Sequence, residues 1–279
     1  MSEQEVRLLR RILVALDASH HSLAALEAAA ELAASLEAEL HGLFVEDINL
    51  LRAAGSPVAR EVRYPYVTGG RMDRARMERE LRAQATQAQR ALMATCQRRQ
   101  IRWSFRVVRG DVTAEVLEAA SEADLLTLGR ASRPLMQRIR LGSTARAAAT
   151  RSPRSVLLIQ RDVVVRPPVM VVYEDSRAAR QALWMAAHLA QKQEKYLGVL
   201  ILVRPQDDVQ RLQNQISNWL RGEGLAVRSQ LLPANNVKML AQTVRAEQGG
   251  VLVLSVTTLP ADALDVLLDE VDCPVLLVR

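Results

Sequence analysis

The residues most able to do chemistry lie in one segment, GRASRPLMQRIRLGSTARAAATRSP, from Gly129 to Pro153. Gly142-Ser143-Thr144 opens an alanine-rich stretch that reads as a helix. The first turn of a helix carries unpaired N–H groups and partial positive charge, so its tip attracts anions. Glycine lets a ligand approach the backbone closely, and the Ser143 and Thr144 hydroxyls add donors. Arg130, Arg138 and Arg140 lie upstream and can supply charge-assisted bonds. From Leu125 to Arg161 there is no Asp or Glu, yet eight arginines fall there, which raises the local concentration of anions. A plainer reading of the same residues stands beside this one: Gly129 as a turn residue and Ser143 as an ordinary helix cap. Neither GxxxxGK nor GxGxxG occurs, which excludes those two phosphate-binding schemes.

Other reactive side chains form no recognisable set. His20 and His21 follow Asp17, but adjacent histidines point different ways, so both are expected as exposed residues at a helix start. Cys96 falls on the apolar face of a helix and reads as an inert buried thiol, and Cys273 has no sequence partner. No Ser-His-Asp set or paired carboxylates mark a catalytic centre. Binding rather than catalysis is expected.

The elements that must position this segment form a repeat. RILVALDASHHSLAALEAAAELA from Arg11 matches PVMVVYEDSRAARQALWMAAHLA from Pro168 at an offset of 157, so that Ser19 meets Ser176. DLLTLG at Asp124 matches GVLVLS at Gly250, and SVLLIQ at Ser155 matches PVLLVR at Pro274. Pro167 and Pro168 mark the junction, giving expected domains 1–162 and 163–279. In the first half, short apolar runs at 12–16, 40–45, 103–108, 125–128 and 156–159 alternate with helical periodicity. That order predicts an α/β fold: two tandem doubly wound domains, each a five-stranded parallel sheet with helices on both faces. Ligands of such sheets sit beyond the carboxyl ends of the strands where the winding reverses, which points to Asp17 and Gly129.

Composition narrows the class. The 279 residues carry 37 basic and 31 acidic side chains. Residues 1–160 hold 24 bases and 18 acids, hence all of the net +6. Two cysteines cannot build a disulfide framework or a four-thiolate zinc site. No apolar run is long enough for a membrane span, no signal peptide is read at the N-terminus, and a cytoplasmic location is expected. At 3% aromatics with no nucleic-acid module, nucleic acid is not an expected partner.

The repeat, together with Gly129-x2-Ser132-x9-Gly142-Ser143, resembles the universal stress protein family in its tandem form, over nearly the whole chain. Nucleotide-binding members carry G-x2-G-x9-G-[S/T] after the fourth strand, and Ser132 here stands at the second glycine. The resemblance implies ATP with magnesium as ligand. It would place Asp17 near the ribose and metal, the Val45 backbone at the adenine, and Gly129, Ser132, Gly142, Ser143 and Thr144 at ribose and phosphates. No metal ligand set is expected from protein alone. The resemblance also implies that the last strands, 156–159 and 275–278, pair to make an intramolecular pseudo-dimer, with a homodimer of whole chains as a further option. The implied function is a nucleotide-binding stress-response regulator. The alternative is a nucleotide-free scaffold that binds a protein partner, as yet unknown, or another small anion.

The second half departs from the first at the critical place. Its loop is seven residues shorter, Ser255 replaces Gly129, and Asp262 aligns with Ser143, followed by Asp265, Asp269, Glu270 and Asp272. A carboxylate at the helix tip answers the dipole and repels phosphate, so binding is expected in the first half only. The first half also carries an insertion, 49–75, whose Gly55, Pro57, Pro65 and Gly69-Gly70 mark it as mostly loop. It is placed to fold over a nucleotide with Tyr64 or Tyr66 on the base. Trp184 and Trp219 are expected in the core.

Overall fold

The computed structural model describes residues 9–17, 19–56, 60–61, 70–71, 73–130, 141–160, 167–192, 195–247 and 250–279, with 60–61 and 70–71 as backbone alone. The first half runs β1 (Arg11–Leu16), α1 (His20–Leu36), β2 (Glu39–Asp47), α2 (Ile48–Ala54), β3 (Arg60–Glu61), β4 (Gly70–Arg71), α3 (Arg74–Arg99), β5 (Trp103–Gly110), α4 (Val112–Ala120), β6 (Leu125–Gly129), α5 (Ser143–Arg151) and β7 (Ser155–Ile159). The second runs β8 (Val169–Tyr173), α6 (Arg177–Gln191), β9 (Tyr196–Val203), α7 (Val209–Trp219), β10 (Ala226–Pro233), α8 (Val237–Ala246), β11 (Val251–Ser255), α9 (Ala261–Glu270) and β12 (Val275–Val278).

Ten strands form one sheet in the order β10-β9-β8-β11-β12-β7-β6-β1-β2-β5. Within each half every pairing of this sheet is parallel, and the halves join through the antiparallel pair β7–β12, with Leu157 opposite Leu276. The expected fold class is therefore the one the chain adopts. The central strands β1, β6, β7, β8, β11 and β12 are buried on both faces, which is why they read as unbroken apolar runs. The edge strand β5 exposes half of its residues and the edge strand β10 nearly all.

Helices cover both faces. One core layer joins α1, α3, α6 and α7 to the sheet, and the other joins α4, α5, α8 and α9. The repeat is visible at the helix caps. Ser19 and Ser176 are the N-caps of α1 and α6, and their hydroxyls accept from Ser22 N and Ala179 N. An N-cap of this kind satisfies one orphan donor of the first turn.

Four expectations are corrected. The 49–75 insertion, expected mostly as loop, holds regular elements among its described residues: Asp47 caps the helix α2, and β3 and β4 pair antiparallel. Tyr64 and Tyr66 lie outside the described residues. Trp184 and Trp219 are 44% and 42% exposed. The buried stripe of α6 runs through Leu183, Ala186 and Ala187, so Trp184 falls beside it, and Trp219 stacks under the Arg180 guanidinium at 5.3 Å. His21 is buried, while its neighbour His20 is exposed. In the second half the N-cap of α9 is Pro260, so Asp262 sits opposite Thr144 rather than Ser143, one residue from the sequence alignment.

Candidate functional site

At the carboxyl ends of β1 and β6, the two neighbouring strands from which the sheet winds outward in opposite directions, lies a cleft of about 660 Å³. A pocket of this size suits a small molecule. Asp17, Val45, Gly129, Gly142, Ser143 and Thr144 all line it. Four helices begin there, because every strand of a parallel sheet delivers the chain to the same edge.

Three of those helix starts are capped by side chains. Ser19 Oγ accepts from Ser22 N at 3.2 Å for α1, Asp47 Oδ1 from Asn49 N at 2.8 Å for α2, and Asp111 Oδ1 from Ala114 N at 3.0 Å for α4. The fourth, α5, starts at Gly142 and has no side-chain cap. Among the described residues its first-turn N–H groups have no acceptor, so they face the cleft as orphan donors. Gly142 has φ −61° and ψ 155°, ordinary extended backbone, so the glycine is not there for its torsions. It leaves the helix tip bare.

The remaining walls are more specific than the sequence suggested. Asp17 Oδ1 accepts from Ser19 N at 3.0 Å, which fixes the carboxylate over the start of α1. Thr144 and Thr113 share a hydroxyl hydrogen bond at 3.2 Å, tying the tip of α5 to that of α4. Asn49 Nδ2 donates to Asp111 Oδ2 at 3.2 Å, closing the wall between α2 and α4. Gln84 and Gln87 of α3 and the buried His21 complete it. Sequence reasoning passed over Asp47, Asn49 and Asp111. The signal for Asp47 and Asp111 was an Asp directly after a strand and before a helical stretch.

Gly129 has a packing role. A Cβ on it would lie 2.8 Å from both the carbonyl carbon and the oxygen of His21, so the first turn of α1 passes directly over it. Arg130 is a correction: it does not reach the cleft. Its side chain is 3% exposed, and its Nη1 donates to the Val271 carbonyl at 2.7 Å and to Gln160 Oε1 at 3.3 Å. Burial lowers its guanidinium pKa. The turn before β12 offers a carbonyl, and the arginine is held there, outside the lining of the cleft. Ser132, Arg138 and Arg140 lie outside the described residues.

Among the described residues, no three acidic, histidine or cysteine side chains converge on a metal position. No described helix is long and apolar enough to cross a membrane. At the equivalent place in the second half, α9 carries Asp262 in its first turn, and Thr258 and Leu259 of the short connection are buried.

Comparison with known proteins places these features. The model of the universal stress protein family matches residues 9–160. Among solved structures, a universal stress protein from Archaeoglobus fulgidus DSM 4304 aligns with a TM-score of 0.74 at 17% identity, covering 96% of this chain and 98% of that one. A protein of unknown function from Pseudomonas aeruginosa PAO1 aligns with a TM-score of 0.58 at 14% identity, covering 97% and 92%. At these identities the likeness is one of fold. No curated protein matches the chain at a significant level.

Proposed function

The chain belongs to the universal stress protein family, and from that premise we propose that its first-half cleft binds a nucleotide, ATP with magnesium, as a cytoplasmic stress-response regulator rather than as an enzyme. The observation that carries this reading is the bare tip of α5. Of the four helix starts at the cleft, it alone has no capping side chain, so its N–H groups are available to a phosphate. The Ser143 and Thr144 hydroxyls stand beside it as further donors, and the cleft extends from there past Asp17 to Val45. A magnesium ion would arrive on the phosphates, since the protein alone gathers no metal ligand set among its described residues.

Restriction to the first half is supported by Asp262, which already answers the dipole of α9, and by the burial of Leu259 and Thr258 in the shortened connection.

A second reading, a nucleotide-free scaffold, has its own observation. The described wall of the cleft carries Asp17, Asp47 and Asp111 and no arginine or lysine, a poor match for free polyphosphate. Thermal unfolding with and without ATP and magnesium decides between them. A bound ligand at a hundredfold excess over Kd stabilises by about 2.7 kcal/mol, which a melting curve resolves. No shift at millimolar ATP would leave the scaffold reading standing.

A further inference from the structure

The acidic run that distinguishes the second half has a use the sequence did not suggest. Asp265 and Asp269 of α9 reach across the seam to the segment that starts α5. Arg146 Nη1 donates to Asp265 Oδ2 at 2.9 Å, and Leu141 N donates to Asp269 Oδ1 at 3.4 Å. At the other end of α5, the Arg279 guanidinium donates to the Ala149 carbonyl at 2.7 Å. That carbonyl belongs to the last turn, where acceptors lack helical partners and the dipole favours a cation. Arg130 and Gly142, which bracket the loop before α5, are joined by a hydrogen bond from Gly142 N to the Arg130 carbonyl at 2.7 Å. Arg130 in turn is anchored on Val271 of the second half.

Both ends of α5 are thus held by residues from the other half of the chain. We propose that the second half is a clamp on α5, with Asp265, Asp269 and Arg279 as positioning residues for the anion-binding tip in the first-half cleft. The inference rests on the nucleotide reading of that cleft and extends it. Ligand binding in one half and the fit between the halves are coupled, and by linkage each strengthens the other. The half that lost its own site holds the tip of the one that remains.

The test uses the full chain carrying Asp265→Asn with Asp269→Asn, Arg279→Gln, or Asp265→Glu, at a temperature where circular dichroism shows all of them folded. Titration calorimetry with ATP and magnesium is expected to give affinities about threefold to tenfold weaker for the double variant and for Arg279→Gln. Asp265→Glu should restore near-parental affinity, because the carboxylate still reaches Arg146. A purely structural role would lower the melting temperature without this split. Equal affinity in folded parent and double variant overturns the clamp. Should the parent bind no ATP, the nucleotide reading fails on its own account, and hydrogen exchange of the α5 amides 146–151 without ligand then decides. Faster exchange in the double variant upholds the clamp, and unchanged exchange overturns it.

Discussion

Gly129 and His21 meet backbone to backbone: a Cβ placed on the glycine would lie 2.8 Å from the His21 carbonyl carbon and oxygen. Those atoms belong to the first turn of α1 and cannot rotate aside as a side-chain end could. The glycine that ends β6 therefore serves the packing of α1 on that strand. Gly129→Ala should cost about 1–3 kcal/mol through overpacking, read as a lower urea midpoint with an unchanged slope. A loss within experimental error would show that the start of α1 gives way, and would return Gly129 to a role defined by ligand alone.

Gly142 makes the opposite prediction. Its torsions suit any residue, and its helix lacks a side-chain cap. Gly142→Asp should cap α5 and raise stability by a few tenths of a kcal/mol. It should also put a carboxylate where the phosphate belongs and abolish the ATP-dependent melting shift. A stabler protein that no longer responds to ATP is the expected pair of results. A variant that still shifts with ATP would remove the α5 tip from the binding site.

What was legible in the sequence followed burial and repetition. Strands covered on both faces must be apolar throughout, so β1, β6 and β7 stood out. The offset of 157 placed Ser19 and Ser176 at equivalent helix caps, where the structure has them. The cleft was locatable because Asp17 and Gly129 end the two strands from which the sheet winds both ways. What could not be read depended on the other half or on helix phase. Arg130 looked like a ligand group because it sits in an acid-free run, and nothing local announces that Val271 offers it a carbonyl. Asp265 and Asp269 looked like charges set against phosphate, and two of their bonds cross to the first half. Trp184 lies one position from the buried Leu183, and one position on a helix is 100° of rotation.

The two buried thiols predict an alkaline limit. Burial pushes both Cys96 and Cys273 up from 9.0 to about 11. An unfolded chain ionises its thiols at the lower value, so between those pH values the folded state holds more protons. Stability from this source is intact below about pH 9 and is lost as pH rises towards 11. Urea midpoints measured across that window should fall, and the fall should shrink when both cysteines are replaced by alanine. At neutral pH, neither thiol should react with a thiol reagent until the protein unfolds, because neither is exposed or ionised.

Arg130 is a cation held inside the seam between the halves, 3% exposed, with its Nε lacking a hydrogen-bond partner among the described residues. Its guanidinium satisfies the Val271 carbonyl, while Asp269 and Asp272 supply favourable charge without a direct bond. Two opposing terms set the outcome of mutation. Removing the side chain leaves a void and an unpaired carbonyl, which together cost about 2–4 kcal/mol. Removing the charge relieves a desolvation penalty. Arg130→Ala incurs the first without filling the space, and should lower the urea midpoint substantially. Arg130→Met fills most of the void, relieves the second, and should lose far less. Equal losses for Ala and Met would mean that the bond to Val271 dominates over packing. A loss confined to ATP affinity, with the midpoint unchanged in both variants, would mean that the arginine leaves the seam to serve the cleft.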